Sequence, residues 1–208
     1  MTHDISPSST IKVAVCIAPG SEEMEAINTI DILLRAGFDV TVASVASDGA
    51  LIMAGSRGIK LVADVPLVNV ADEPFDCVVL PGGLAGSECF RDSPLLVEFV
   101  NQHKHDGKLV AAICAAPAVV LEHHGMYPDA IMTAHPAFHD QIPAHRLRTK
   151  RVVFDVNSNL LTSQGPGTSQ EFALAIIIQL AGKQKAVDVA EPMVVWPNMH
   201  FVMRDEQK

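Results

Sequence analysis

The sequence predicts an α/β fold: a doubly wound, mostly parallel sheet sandwiched by helices. Three observations predict it. Short, wholly apolar runs rich in Val, Ile and Ala recur along the chain. Stretches with apolar residues at helical spacing alternate with them. The alternation continues without an internal repeat or low-complexity linker, so one domain is expected. Strands buried on both faces read as continuous apolar runs, and strand–helix alternation places them in a parallel sheet covered by helices. With 208 residues, 49% apolar and 19% charged, the chain is large enough to bury a substantial core.

Taken in order, "IKVAVCIA" (residues 11–18) is a buried strand ended by Pro19-Gly20. "SEEMEAINTIDILLRAGF" is a helix. Ser21 is its expected cap, and Glu22 and Glu23 suit the positive end of its dipole. Met24, Ile27, Ile30 or Asp31, and Leu34 recur at helical spacing, and Gly37 ends the helix. "DVTVASV" is the second strand, and Gly-punctuated residues 50–62 suggest a hairpin. "FDCVVLPGG" is a third buried strand, residues 93–106 a helix, and "KLVAAIC" a further buried strand. "APAVVLEHH" is a helix with Pro117 in its first turn, where proline is tolerated. "RVVFDVNSNLLTSQ" is a two-stranded ribbon turning at Asn157-Ser158-Asn159. "GTSQEFALAIIIQLAGK" is a long helix capped by Thr168 or Ser169. Residues 1–10 are expected to be a flexible lead-in to a domain over 11–190. Residues 191–208 are expected to be a strap on the body or on a partner subunit.

The net charge of −9 and the lack of a Lys/Arg block argue against nucleic acid or an anionic membrane as the main partner. "MTHDISPSST" has no apolar core of a signal peptide, and the longest apolar run, "FALAIII", is too short to span a membrane. Cys16, Cys77, Cys89 and Cys114 form no CxxC pair and fit neither a zinc site nor a disulfide framework. Free thiols suit an intracellular, cytoplasmic setting; a nuclear or mitochondrial pool is compatible with this.

In doubly wound sheets, ligands bind beyond the carboxyl ends of the strands. Three features gather at that edge: Pro19 to Glu25, the Pro81-Gly82-Gly83 turn, and Cys114. Cys114 lies between a buried strand and a helix start, the position of a nucleophile elbow, where a helix N-terminus is expected to lower the thiol pKa. The plainer reading, a small buried hydrophobe, fits Cys16 and Cys77 inside strands. Gly82 and Gly83 can present backbone N–H groups to an oxyanion, although taken alone they are better explained as an ordinary strand-ending turn. Glu25 points to the same edge or simply complements the dipole. His135 and His139 tempt as a metal pair, but Pro136 breaks the helix that would align them, and no metal site is expected. His123-His124 read as a solvated helix end. "QGPGTS" lacks the lysine and spacing of a P-loop.

"GSEEMEAI", "DILLRAGFDVTVA", "FDCVVLPGG", "LVAAICAAP", "TAHP", "LTSQGPGTSQEFALAII" and "GK" follow one another over about residues 11–190. In this order they resemble the ThiJ/PfpI superfamily, and within it the parkinsonism-associated deglycase branch, DJ-one. The resemblance implies a flavodoxin-like sandwich of class I glutamine amidotransferase type, a homodimer, and no metal or organic cofactor. It implies that Cys114 is the reactive cysteine and that Glu25 contacts it as a protonated carboxyl. Backbone donors would come from Gly82, Gly83 and Ala115, and His135 would stand near the cysteine. Asp31 would be an acid near the dimer interface, and Arg35 and Arg57 would line an anion-accepting cleft between subunits. The chain departs from the pattern in several places. Ala115 replaces the histidine of peptidase-like members, Ala116 a common glycine, and Gln164 a usual arginine. Residues 50–62 hold no cysteine, and the tail is longer.

The implied activity is cofactor-independent, hydro-lyase or hydrolase in type. A cysteine nucleophile would turn methylglyoxal or glyoxal into the hydroxy acid, or act on glycated thiols and amines. Two other readings are a redox sensor or chaperone whose Cys114 becomes a sulfinate, and a cysteine peptidase or amidase. A thiol pKa lowered from about 8.5 to about 5.5 gains roughly thirty-fold in thiolate at neutral pH. It returns roughly twenty-fold in nucleophilicity. Backbone donors to the developing oxyanion therefore matter more than the pKa itself.

Overall fold

β1 (Lys12–Ile17) buries five of its six residues and pairs in parallel with β2 (Asp39–Ser44) on one side and β6 (Cys77–Leu80) on the other. The computed structural model describes residues 10–195. β5 (Val65–Pro66) extends the sheet beyond β2. β7 (Leu109–Ile113), β9 (Leu160–Ser163) and β8 (Val152–Asp155) extend it beyond β6, giving the order β5-β2-β1-β6-β7-β9-β8. β8 runs antiparallel to β9, and the other pairings in this sheet are parallel. β3 (Ile52–Ala54) and β4 (Lys60–Val62) form a separate antiparallel hairpin. The winding reverses between β1 and β6, and that reversal opens a crevice at the carboxyl edge.

Alternate strand residues feed two cores. Ala14, Cys16, Val78, Leu80, Val110 and Ala112 pack with Phe90 of α2 (Leu84–Arg91) and Phe99 of α3 (Pro94–His105). Val13, Val15, Cys77, Val79, Leu109 and Ala111 face α1 (Glu23–Arg35), α4 (Ser169–Ala181) and α5 (Lys183–Ala190). The doubly wound sandwich predicted from the alternation of apolar runs is thus the fold. Cys16 and Cys77 are core residues, as strand positions imply.

Several local expectations are corrected. Glu22, not Ser21, caps α1: its carboxylate accepts the Glu25 N–H at 2.8 Å, whereas the Ser21 hydroxyl accepts the Ala18 N–H at 2.9 Å. Met24, Ile27 and Leu34, the stripe at helical spacing, are 52–55% exposed; Ala26, Thr29, Ile32 and Leu33 are the buried face. α1 is therefore apolar on two faces. Thr168 occupies the cap position of α4, but its hydroxyl bonds Gly165 and Ser163 within the preceding turn. The Pro117–Glu122 segment is a widened helix, with the His123 N–H bonding the Ala118 carbonyl at 3.2 Å. β5, α2 and α5 were not foreseen. α2 is short, starts without a side-chain cap and contains Gly86, where a Cβ would lie 2.7 Å from the Ser21 backbone. Residues 1–9 and 196–208, and with them most of the lead-in and strap, lie outside the described residues; Met193 and Val195 pack against the second core.

Candidate active site

Cys114 follows β7 with φ 66°. That left-handed conformation costs an L-residue about 1–2 kcal/mol. The surrounding backbone imposes it: the Cys114 N–H donates to the Ser163 carbonyl at 3.0 Å, and the His135 N–H donates to the Cys114 carbonyl at 2.9 Å. The elbow expected from the strand–helix junction is present.

Two glycines let it close. A Cβ on Gly82 would stand 2.4 Å from the Cys114 Cβ and 2.8 Å from Glu25 Oε2. Gly83 has φ 83°, and a Cβ there would fall 2.2 Å from the Gly20 carbonyl oxygen. These contacts bring the Pro19–Glu25 segment, the Pro81-Gly82-Gly83 turn and the elbow into one cluster.

Glu25 is fully buried in the first turn of α1. Its Oε2 accepts the Gly82 N–H at 2.7 Å. The Gly82 donor is therefore spent on Glu25 rather than free for an oxyanion; the Gly83 and Ala115 N–H groups are the ones that reach the Cys114 sulfur. Glu25 Oε1 has no partner besides the adjacent thiol. Burial pushes the Glu25 carboxyl up to about 8, against which the Gly82 bond works in the lowering direction. The carboxyl is thus protonated through the neutral range.

The thiol departs from the sequence expectation. Its pKa is pushed up to about 12, first by burial and then by the neighbouring Glu25 charge, with the Gly83 and Ala115 N–H groups opposing. Desolvation outweighs any helix dipole here because Cys114 is only 8% exposed. The thiol and carboxyl share protons as a pair.

The sulfur floors a cleft of ≈ 440 Å³ whose walls include Arg57, His135, Phe138 and Pro166. His135 Nδ1 accepts the Ala137 N–H at 3.2 Å, so the neutral imidazole carries its proton on Nε2. A larger hollow of ≈ 840 Å³ lies beside Pro19 and contains Cys89, whose thiol pKa is raised first by burial and then by the Asp92 and Glu88 charges; that thiol donates to the Pro19 carbonyl rather than to a carboxyl. The cleft with Cys114 is smaller, yet it holds the juxtaposed titratable groups that chemistry requires.

The DJ-1/PfpI family profile matches residues 11–179. The chain belongs to the DJ-1/PfpI family. It is 43% identical over 183 residues to Drosophila melanogaster protein dj-1beta, covering 87% of this chain and 95% of the relative. It is 40% identical over 191 residues to Arabidopsis thaliana protein DJ-1 homolog B, covering 92% of this chain; it spans only 43% of that longer relative. A Caenorhabditis elegans relative, glutathione-independent glyoxalase DJR-1.2, is 32% identical over 186 residues, with 88% and 96% covered. The solved structure of oxidized Toxoplasma gondii DJ-1 superposes with a TM-score of 0.85 at 42% identity, covering 89% of this chain and 98% of that one.

This DJ-1/PfpI chain brings Cys114, Glu25, Gly82, Gly83, Ala115, His135 and Arg57 together. Asp31 and Arg35 stay apart from them. They pair with each other at 2.6 Å on the exposed face of α1. His139 bonds the Ala134 carbonyl rather than standing with His135, and among the described residues no cluster of His, Cys, Asp and Glu could hold a metal. His123 and His124 are exposed at a helix end. No helix among the described residues is long and apolar enough to cross a membrane. Sequence reasoning missed Ser56 and Phe138 in the cleft wall. The Gly-punctuated hairpin hinted at a turn there, but nothing local says which cleft the turn borders.

Proposed function

We propose that this protein is a cofactor-independent, cysteine-dependent glyoxalase that converts methylglyoxal or glyoxal into the hydroxy acid. Its chemistry extends to the same two-carbon unit in early adducts of thiols and amines. The observation that carries the reading is the Cys114–Glu25 pair beneath an open cleft, with the Gly83 and Ala115 N–H groups on the sulfur. The likeness to the C. elegans glyoxalase supports it.

In the singly deprotonated pair the remaining proton sits on the Cys114 sulfur; the Glu25 carboxylate takes it as the sulfur attacks the aldehyde carbon, so that the carboxyl then carries it. The carbonyl electrons move to oxygen, which the backbone N–H groups stabilise and Glu25 protonates, giving a hemithioacetal. Glu25 carboxylate then removes the C1 proton while His135 Nε2–H donates to the C2 oxygen, giving an enediol. Return of a proton to C2, and of the C1 hydroxyl proton to His135, leaves a thioester: C1 is oxidised and C2 reduced, with no outside electron carrier. Water cleaves the thioester, releases the hydroxy acid and restores the thiol. The test is lactate formation from methylglyoxal without glutathione. Cys114→Ala is expected to form none, and Glu25→Gln to lose about 10²-fold or more. Wild-type turnover by Cys114→Ala would refute the assignment.

A second reading, peroxide sensing, is favoured by the same donor set. The Gly83 and Ala115 N–H groups and the Glu25 carboxyl suit the oxygens of a sulfinate. Two peroxide molecules would each transfer one oxygen to the thiolate and leave as water. A mass gain of two oxygens localised to Cys114 under graded peroxide is expected; its absence removes this reading.

The exposed apolar residues Met24, Ile27 and Leu34 of α1, with Ile52, Ile59 and Val62 of the hairpin, form the face assigned here to a homodimer. Asp31 and Arg35 lie on the same helix, within that interface region.

A further inference from the structure

The turn at the tip of the β3–β4 hairpin closes on itself through two backbone bonds, Gly55 N–H to the Ile59 carbonyl at 2.8 Å and Gly58 N–H to the Gly55 carbonyl at 3.0 Å, but these do not fix it against the body. Its strands are three residues each and form a separate two-stranded sheet, a unit that is marginal alone in water. α1 holds it. Glu23 Oε1 accepts the N–H groups of Arg57 at 2.7 Å and Ile59 at 3.2 Å, and Oε2 accepts the Ser56 hydroxyl at 2.9 Å. The Ser56 N–H also donates to the Ser21 carbonyl at 2.9 Å, and the Gly20 N–H to the Ala54 carbonyl at 2.8 Å. A Cβ on Gly55 would fall 2.5 Å from the Glu23 side chain, so glycine is what admits the carboxylate. The carboxylate is almost completely buried, and its hydrogen bonds hold it ionised, its pKa lowered against the opposing effect of burial.

The turn so fixed contributes Ser56 and Arg57 to the wall of the Cys114 cleft. Among the residues lining that cleft, Arg57 is the one permanent cation; the one acidic residue, Glu22, is buried and its carboxylate caps α1 by accepting the Glu25 N–H at 2.8 Å. We propose that Glu23 is a positioning residue: by fixing the 55–59 turn it presents Arg57 to the cleft and gives the Cys114 thiol a preference for anionic electrophiles. The inference rests on Cys114 being the nucleophile of the proposed function. It assigns charge selectivity to a side chain that touches neither the sulfur nor the substrate.

The test compares alkylation of Cys114 by iodoacetate and by iodoacetamide, followed on the Cys114 peptide by mass spectrometry. Both reagents consume the same thiolate, so their rate ratio cancels thiolate fraction and global stability. Arg57→Gln is expected to lower the iodoacetate preference about threefold, the scale of one partly screened charge. Glu23→Ala is expected to lower it by the same factor, and the double variant no further. Glu23→Gln, which keeps a carbonyl oxygen for the Arg57 and Ile59 N–H groups, is expected to retain most of it. Gly55→Ala, which crowds the carboxylate while leaving it in place, lowers it. A wild-type ratio in Glu23→Ala, or an additional drop in the double variant, overturns the proposal. The ratio does not depend on lactate formation. A wild type that makes no lactate therefore defeats the glyoxalase reading alone, and an unmoved ratio in an active enzyme defeats the Glu23 assignment alone.

Discussion

Gly82→Ala tests the geometry of the site with one methyl group. The backbone at Gly82 is not left-handed, so alanine meets no φ penalty there. The methyl instead meets three neighbours: the Cys114 Cβ at 2.4 Å, Glu25 Oε2 at 2.8 Å and the Ile113 carbonyl oxygen at 2.9 Å. Two of these belong to the rigid end of β7 and cannot yield cheaply. Overpacking of this kind costs about 2 kcal/mol. Displacing the carboxyl also weakens the 2.7 Å Gly82 N–H to Glu25 bond, which adds about 1 kcal/mol. For a chain of this length a loss of about 3 kcal/mol lowers the melting temperature by roughly 6–12 °C. A shift of the sulfur by about 1 Å costs on the order of 10² in turnover. Thermal unfolding and the lactate assay read the two effects. Gly167→Ala is the control, since a Cβ there meets nothing within 4 Å and φ is not left-handed. Its melting temperature is expected to stay within about 2 °C of wild type. A Gly82→Ala protein with wild-type melting temperature and turnover would show that Gly82, Glu25 and Cys114 are not packed as described.

Two further outcomes follow. The folded-state pKa of Glu25, about 8, is raised above its ordinary 4.5, so the stability of the protonated form is complete below about 4.5 and is lost as pH rises through 8. Glu25→Gln is therefore expected to melt close to wild type at pH 5 and above it at pH 8.5; an equal difference at both pH values would mean that the buried carboxyl does not titrate there. Sedimentation equilibrium is expected to give twice the 22.3 kDa chain mass for the wild type and the single-chain mass for Ile27→Glu combined with Ile59→Glu; a monomeric wild type would remove the assignment of the α1–hairpin face.

Much of the architecture was legible because it is written locally. A run such as Leu109–Ile113 is apolar at every position, and all five of its residues are buried in a central strand. Cys114 followed by Pro117 marks a strand end and a helix start within a few residues. α2 was not legible, since its glycine is demanded by the Ser21 backbone, a neighbour remote in sequence. The cap of α1 was misread for a similar reason: Ser21 has the right chemistry, but its hydroxyl is engaged by Ala18, and Glu22 takes the role. The Met24–Ile27–Leu34 stripe has helical spacing, yet spacing cannot say which of two apolar faces meets the sheet.

By itself, the sequence determined the alternation of the central strands with α1, α3 and α4, the burial of Cys16 and Cys77, and the placement of Cys114 at an elbow. Periodicity, proline and glycine act over a few residues, and one chain displays them directly. Tertiary structure decided the rest. It set Glu25 against a glycine N–H 57 positions away, left that N–H unavailable to substrate, and brought Glu23 across to the hairpin that carries Arg57. It also reversed the expected direction of the thiol pKa. A pKa depends on how much water a group keeps and which charges surround it, and both are fixed only when distant segments close over the same few ångströms.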